Sequence, residues 1–240
     1  MKKILIGAAG ILVVVILVLS YVVSTESGLV LLVRSLEKIS MGNLHVSEIE
    51  GKIIKKFSFG KLYYESSDTL LKINHFEFYW KPAELRQRNL HVVSCVIEDV
   101  EYSSDAGLDD QSEEKTTVSL PHLKLPLNLL LDDLRVRNVQ IISAEETVAE
   151  IDRIDLQMAG GAALLQLNTV YLQGDQYELS LSGNVGLNDD WPVDIGGKWR
   201  YLIEGAPDLQ GTLGIVDSLQ DAGVEIVLDT PYNARLSGRM

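Results

Sequence analysis

The chain has 240 residues, and its 34 acidic and 21 basic side chains give a formal net charge of −13. Residues 1–100 hold 12 basic against 10 acidic side chains, which leaves 9 against 24 for residues 101–240. Phosphate backbones would repel so acidic a distal part, which excludes a nucleic-acid partner. The single cysteine, Cys95, excludes an intrachain disulfide and is predicted to be a small buried side chain.

The amino terminus opens with two lysines, followed by an uncharged run over residues 4–23. Twenty residues at ~1.5 Å each form a helix of roughly 30 Å, the thickness of a hydrocarbon core. The run ends at residues 21–23 and lacks the A-x-A-like cleavage site of a signal peptide. This favours an anchor that is retained in the protein. We therefore predict a transmembrane signal-anchor over residues 1–24 that includes Ile4, Leu12, Val15, Leu19 and Val23. The lysines predict a cytoplasmic amino terminus and a periplasmic body.

Residues 25–43 have apolar side chains at helical spacing, namely Leu29, Leu32, Val33, Leu36 and Ile39. This pattern predicts a short amphipathic helix close to the membrane. The helix could lie on lipid, but packing over the end of the following sheet is the simpler interpretation.

From residue 44 the apolar spacing becomes two, which predicts a first β segment over residues 44–102. A short connecting helix is expected at residues 82–88, where Pro82 suits the first helical position. Four lysines lie close together near the start of this segment. They could meet anionic headgroups, although a solvated hairpin face is the commoner role. They are Lys52, Lys55, Lys56 and Lys61.

Residues 103–119 are polar and acidic without periodicity, so they are predicted to form an exposed loop. The D-x-D-x-D-G spacing of a calcium loop is missing.

Residues 120–240 return to the period of two, with occasional steps of three such as Leu131 to Leu134 and Val136 to Val139. A step of three requires a bulge or bend if the same face is to stay apolar. Recurrent bends predict a long β-sheet that curls around an apolar concave groove. Pattern alone also permits a closed β-sandwich, in which the same side chains would be core. The membrane tether and the terminal alternation at residues 232–240 favour the open sheet.

No catalytic constellation is recognisable, so we expect no enzymatic activity. The four histidines are scattered without H-E-x-x-H or cysteine companions, and neither a zinc site nor another metal or cofactor site is predicted. No G-x-S-x-G elbow is present. The paired aspartates, at 109–110, 132–133 and 189–190, fall at predicted turns and bends, where aspartate is favoured.

Four segments in a fixed order resemble the amino-terminal part of the TamB family, within the AsmA-like group of bridge-like lipid transport proteins. They are TESGLVLLVRSLE, VSEIEGKIIKKFSFGKLYYES, LLKINHFEFYWKPAELRQRNLHV and LKLPLNLLLDDLRVRNVQI. The later segment LSGNVGLNDDWPVDIGGKWRY is similar to the repeats that follow in that family. The individual motifs are degenerate, and their order after a membrane anchor carries the resemblance.

The resemblance implies a mainly β, taco-shaped groove that conducts phospholipid from the inner toward the outer membrane. It also implies a translocation and assembly module with TamA, an outer-membrane barrel protein, as partner. Family members are several times longer, and about fifteen strands at ~4.8 Å would give a groove of only roughly 70 Å, so we expect a truncated member. The alternative is a scaffold for the assembly of outer-membrane barrels. The predicted lipid-groove residues are Phe57, Phe59, Ile73, Phe76, Phe78, Trp80, Leu125, Leu127, Leu129, Val136, Leu179, Leu181, Val193 and Ile195.

Overall fold

The computed structural model describes residues 14, 17–104, 125–143, 146–188 and 190–239. Two helices, α1 (Leu17–Ser24) and α2 (Glu26–Ile39), precede the sheet. Among the described residues, none of the helices alone has the length and hydropathy needed to cross a membrane. Only α1 and α2 taken together reach that length and hydropathy, and they are bent by 96°.

The described strands form one sheet in which spatial order follows chain order. Its strands are β1 (Leu44–Gly51), β2 (Lys56–Glu65), β3 (Thr69–Trp80), β4 (Asn89–Ser104), β5 (Asn128–Ser143), β6 (Glu146–Gly160), β7 (Leu164–Gln173), β8 (Tyr177–Gly186), β9 (Pro192–Tyr201), β10 (Leu209–Ser218), β11 (Asp221–Thr230) and β12 (Ala234–Arg239). The two outermost strands, β1 and β12, do not pair with each other. The prediction of a mainly β, open and curled sheet is confirmed, and the closed sandwich is not found among the described strands.

Ten of the eleven strand pairings are antiparallel, and β4 with β5 is parallel. A 3₁₀-helix, η1 (Pro82–Gln87), connects β3 to β4 within the predicted helical range. Since a parallel pair needs a crossover connection, the chain between Ser104 and Asn128 joins opposite ends of two neighbouring strands. Twelve strands at ~4.8 Å give a sheet roughly 53 Å wide, narrower than the roughly 70 Å expected.

The predicted steps of three coincide with irregular backbone that several strands share. Asp99 in β4 and Asn138 in β5 are both left-handed, with φ of 53° and 52°. The Asn138 amide donates a hydrogen bond to Asp99 Oδ1 over 2.8 Å. On either side of this point Ile97 pairs with Val136 and Val100 with Val139. The bends therefore align across neighbouring strands and keep one face apolar on both sides.

Two predicted boundaries are wrong. Ser103 and Ser104 belong to β4, where backbone pairing to β3 and β5 holds them, and not to an acidic loop. The β segment predicted from residue 120 includes Leu125 and Leu127, whereas β5 begins at Asn128. Pro126 lies in a bend just before it, and proline has no N–H to donate to a β-ladder.

Candidate functional site

One line of paired residues crosses the whole sheet and is apolar at every strand. We call it the apolar row. Directly paired residues of neighbouring strands point to the same face, so the row marks one face of the sheet, here named the apolar face. From β1 to β12 the row consists of Ile49, Phe59, Phe76, Ile97, Val136, Ile154, Leu172, Leu179, Trp199, Gly211, Leu228 and Ala234.

The apolar face contains the twelve predicted groove residues that lie in strands. Phe57 pairs with Phe78, and Leu181 and Ile195 follow the row at spacings of two. Ile73 pairs with Leu62. Leu62 and Phe59 both pack against the cluster that Leu29 and Val33 of α2 form with Val46. Trp80, Leu129 and Val193 complete the set at the strand ends. Leu125 and Leu127 precede β5, and Leu125 reaches the neighbourhood of Gly160 on this face.

Of the predicted anchor residues, Ile4, Leu12 and Val15 lie outside the described residues. Leu19 in α1 is exposed, and Val23 is half-buried. The Val23 carbonyl accepts a hydrogen bond from the backbone N–H of Ile54, in the β1–β2 turn, over 3.1 Å. The end of α1 is therefore attached to the first hairpin of the sheet.

Most side chains of the apolar face are half-buried and are not enclosed in a core. In the described part of the chain only eight apolar residues are buried, and none has a side chain below 2% exposure. Along β9 the apolar-face positions alternate with exposed residues. Val193 is 4% exposed, whereas Asp194 and Lys198 on the other face are exposed. Apart from α2, no second layer covers this face within the described ranges.

The opposite face carries the charges. Lys72 Nζ lies 2.7 Å from Glu101 Oε1, Lys56 Nζ lies 2.8 Å from Glu77 Oε2, and Arg137 is paired with Asp155 over 2.7 Å. Such surface pairs contribute little stability individually. They do keep this face solvated, so the sheet is amphipathic throughout.

All four phenylalanines of the chain cluster on the apolar face at the β1 end. In five of the six pairs among Phe57, Phe59, Phe76 and Phe78, the ring centroids lie 5.4–6.4 Å apart. Trp80 lies beside them, and its Nε1 donates a hydrogen bond to the Ile53 carbonyl over 2.5 Å. Spacings of this size are favourable for tilted and offset ring pairs.

Apolar side chains of neighbouring strands lie close to two glycines of the apolar face. A Cβ on Gly197 would come within 2.4 Å of Leu181 Cδ2, and a Cβ on Gly211 within 3.0 Å of Trp199 Cζ2. The Leu181 and Trp199 side chains therefore extend over the adjacent strand. As a result Gly197 and Gly211 are partly covered by apolar side chains.

Helix α2 covers the β1 end of the sheet. Leu29 and Val33 pack against Val46, and all three are at most 5% exposed. The same helix satisfies the outer edge of β1, because Glu37 Oε1 accepts from Val46 N–H over 2.7 Å. Arg34 donates both to Glu37, at 2.7 Å, and to the Val46 carbonyl, at 3.3 Å. The hydrogen bond from Arg34 lowers the pKa of Glu37. Partial burial acts in the opposite direction, and the hydrogen bond from Val46 N–H lowers the pKa further.

His91 joins three elements at the parallel junction. Its Nδ1 lies 2.9 Å from Glu84 Oε2 in η1, and its Nε2 lies 2.8 Å from Asp132 Oδ2 in β5. The hydrogen bond with Asp132 raises the pKa of His91. Burial lowers this pKa, and the hydrogen bond with Glu84 raises it further. Sequence analysis missed this junction, because the three residues meet only through the fold. Among the described residues, no group of three or more His, Cys, Asp or Glu side chains has metal-binding geometry.

A family model described as "TamB, N-terminal domain" matches residues 101–240, more than half of the chain. The chain belongs to the TamB family. The match begins at the end of β4 and extends over β5–β12. A search of curated proteins and a search of solved structures each found no match.

Proposed function

We propose that this TamB-family chain conducts phospholipid along its apolar face, between the inner and outer membranes, without enzymatic activity. Membership of the family supports a role in a translocation and assembly module and an association with membranes. The observation that carries the proposal is the apolar row, which is apolar in all twelve strands. Under this proposal the apolar face lines a groove, and residues 4–23 anchor it in the inner membrane with the body in the periplasm.

The physical reason is the cost of moving acyl chains through water. Exposing the roughly 30 methylenes of a two-chain phospholipid, at ~0.8 kcal/mol each, costs about 25 kcal/mol. A continuous apolar surface that shields the acyl chains while the headgroup stays wet removes most of this cost. Half-exposed side chains such as Leu179 and Leu181 suit that role, because they are available to a ligand without being sealed in a core.

Native mass spectrometry of gently purified protein tests the proposal. We expect co-purified phospholipid with the wild-type chain and with Ser182→Arg, which places a charge on the exposed polar face. Leu181→Arg places the same charge on the apolar face and should reduce bound lipid several-fold. Wild-type protein without phospholipid, or equal retention by both variants, would contradict a lipid groove.

The edge of β12 supports a second candidate function. All six residues of β12 are exposed, and within the described residues it pairs only with β11. A strand edge can accept a strand from a partner, and membership of the TamB family supports a scaffold for a TamA-like outer-membrane barrel protein. Site-specific crosslinking from Leu236 in cells that contain such a barrel protein tests this function. Failure to capture the barrel protein would argue against it.

A further inference from the structure

Helix α2 carries a second apolar stripe that does not face the sheet. Leu29 and Val33 are buried against Val46, whereas Leu32, Leu36 and Ile39 on the adjacent side are 36%, 47% and 75% exposed. At 3.6 residues per turn these three side chains lie on one side of the helix. Met41, just after the helix, extends the exposed apolar surface.

The corner between α1 and α2 is closely packed. The backbone of Val22 lies so close to Gly28 that a Cβ there would come within 2.4 Å of Val22 Cα. Thr25 caps α2, since its Oγ1 accepts from Gly28 N–H over 3.0 Å. These contacts hold the two helices at 96°. If α1 continues an anchor that runs along the membrane normal, α2 therefore lies parallel to the membrane plane.

The charges near this corner suit an anionic surface. Lys52 and Lys55 are exposed in the β1–β2 turn, which is tied to the end of α1 through Ile54 N–H and the Val23 carbonyl. Lys38 is exposed in the last turn of α2. Basic side chains next to an interfacial helix add attraction to anionic headgroups.

We propose that the exposed stripe of α2, Leu32, Leu36 and Ile39, inserts into the headgroup region of the membrane that holds the anchor. The adjacent side of α2, which carries Leu29 and Val33, packs on the phenylalanine end of the apolar face. Contact of the stripe with lipid thus brings the first strands of that face to the bilayer surface. The inference rests on the anchor of the proposed function and adds the membrane contact of a second helix.

Depth-dependent fluorescence quenching tests the inference. The full chain with Cys95→Ser receives a single cysteine, labelled with an environment-sensitive dye, at Ile39, Leu36, Ser180 or Leu19. Each protein is reconstituted in vesicles of phosphatidylcholine and phosphatidylglycerol with a shallow spin-labelled lipid as quencher. Ser180 is the water control, because it is exposed on the polar face of β8. Leu19 reports insertion of the anchor.

We expect blue-shifted emission and several-fold stronger quenching at Ile39 and Leu36 than at Ser180. Quenching at Leu19 with none at Ile39 or Leu36 would overturn the inference while leaving the anchor intact. Absence of quenching at Leu19 as well would overturn both. Blue-shifted but unquenched dye at Ile39, with a disulfide between two copies of the unlabelled Ile39→Cys chain after mild oxidation, would assign the stripe to a second copy and also overturn the inference.

Discussion

The two ends of the sheet differ in how they are covered, although the same apolar face joins them. At the β1 end, α2 buries Leu29 and Val33 and satisfies the backbone edge at Val46 through Glu37 and Arg34. At the β12 end every residue is exposed, including Leu236 at 70%. The apolar face is therefore continuous along the sheet, although a helix packs on it only at the β1 end of the described residues.

This difference separates two properties that are usually found together. Burial beneath α2 and the phenylalanine cluster should supply much of the tertiary stability, because tightly packed apolar area dominates folding. Accessible apolar surface, by contrast, extends over the strands that α2 does not reach. The substitutions below test whether stability and access are divided in this way.

The largest expected effect comes from the same substitution made at both ends. Leu29→Ala should lower the free energy of unfolding by about 2–5 kcal/mol, because it leaves a cavity beneath α2. Leu236→Ala, on exposed β12, should change it by less than about 0.5 kcal/mol. Urea unfolding followed by circular dichroism measures both. Equal effects would show that the two ends are not differently covered.

A smaller effect is expected at the His91 junction, with a defined pH dependence. Because the pKa of His91 is raised in the folded state, the full contribution of His91 to the free energy of unfolding is present below the ordinary histidine pKa. It is lost as the pH rises through the folded-state value. At about pH 5.5, His91→Asn should cost about 1.5–3 kcal/mol, the range for hydrogen bonds to charged groups. The cost should shrink at about pH 8.5, and a cost that does not depend on pH would contradict the charged junction.

The smallest effect is expected at the covered edge of β1, with the opposite sign of pH dependence. The pKa of Glu37 is lowered in the folded chain, so its contribution is present above the ordinary glutamate pKa. It is lost as the pH falls through the folded-state value. Glu37→Ala should cost about 1 kcal/mol at neutral pH and less in acid. Hydrogen exchange at Val46 N–H should rise in the variant, and unchanged protection there would mean that Glu37 does not hold the edge.

Local pattern was sufficient to predict long strands with recurrent bends, whereas the choice of an open sheet over a closed sandwich also needed the predicted membrane tether and the terminal alternation. The alternation at Leu179 and Leu181 and the steps of three at Val136 and Val139 depend only on neighbours in the chain, and both are present in the strands. Long-range contacts could not be predicted in the same way. The parallel β4–β5 pair and the His91–Asp132 contact join distant parts of the chain, and the Glu37–Val46 contact joins a helix to the strand that follows it. For the Glu37–Val46 contact, the only signal in the sequence was the spacing of three between Arg34 and Glu37, which allows an ion pair on one side of a helix.

Photo-crosslinking at both ends of the apolar face tests the central claim most directly. Probes replace Phe76 and Leu213 on the apolar face, and their polar-face neighbours Glu77 and Thr212 serve as matched controls. After irradiation in membranes, we expect phospholipid on the first pair and none on the second. Lipid at neither Phe76 nor Leu213, or equal labelling of all four positions, would contradict a lipid-conducting face.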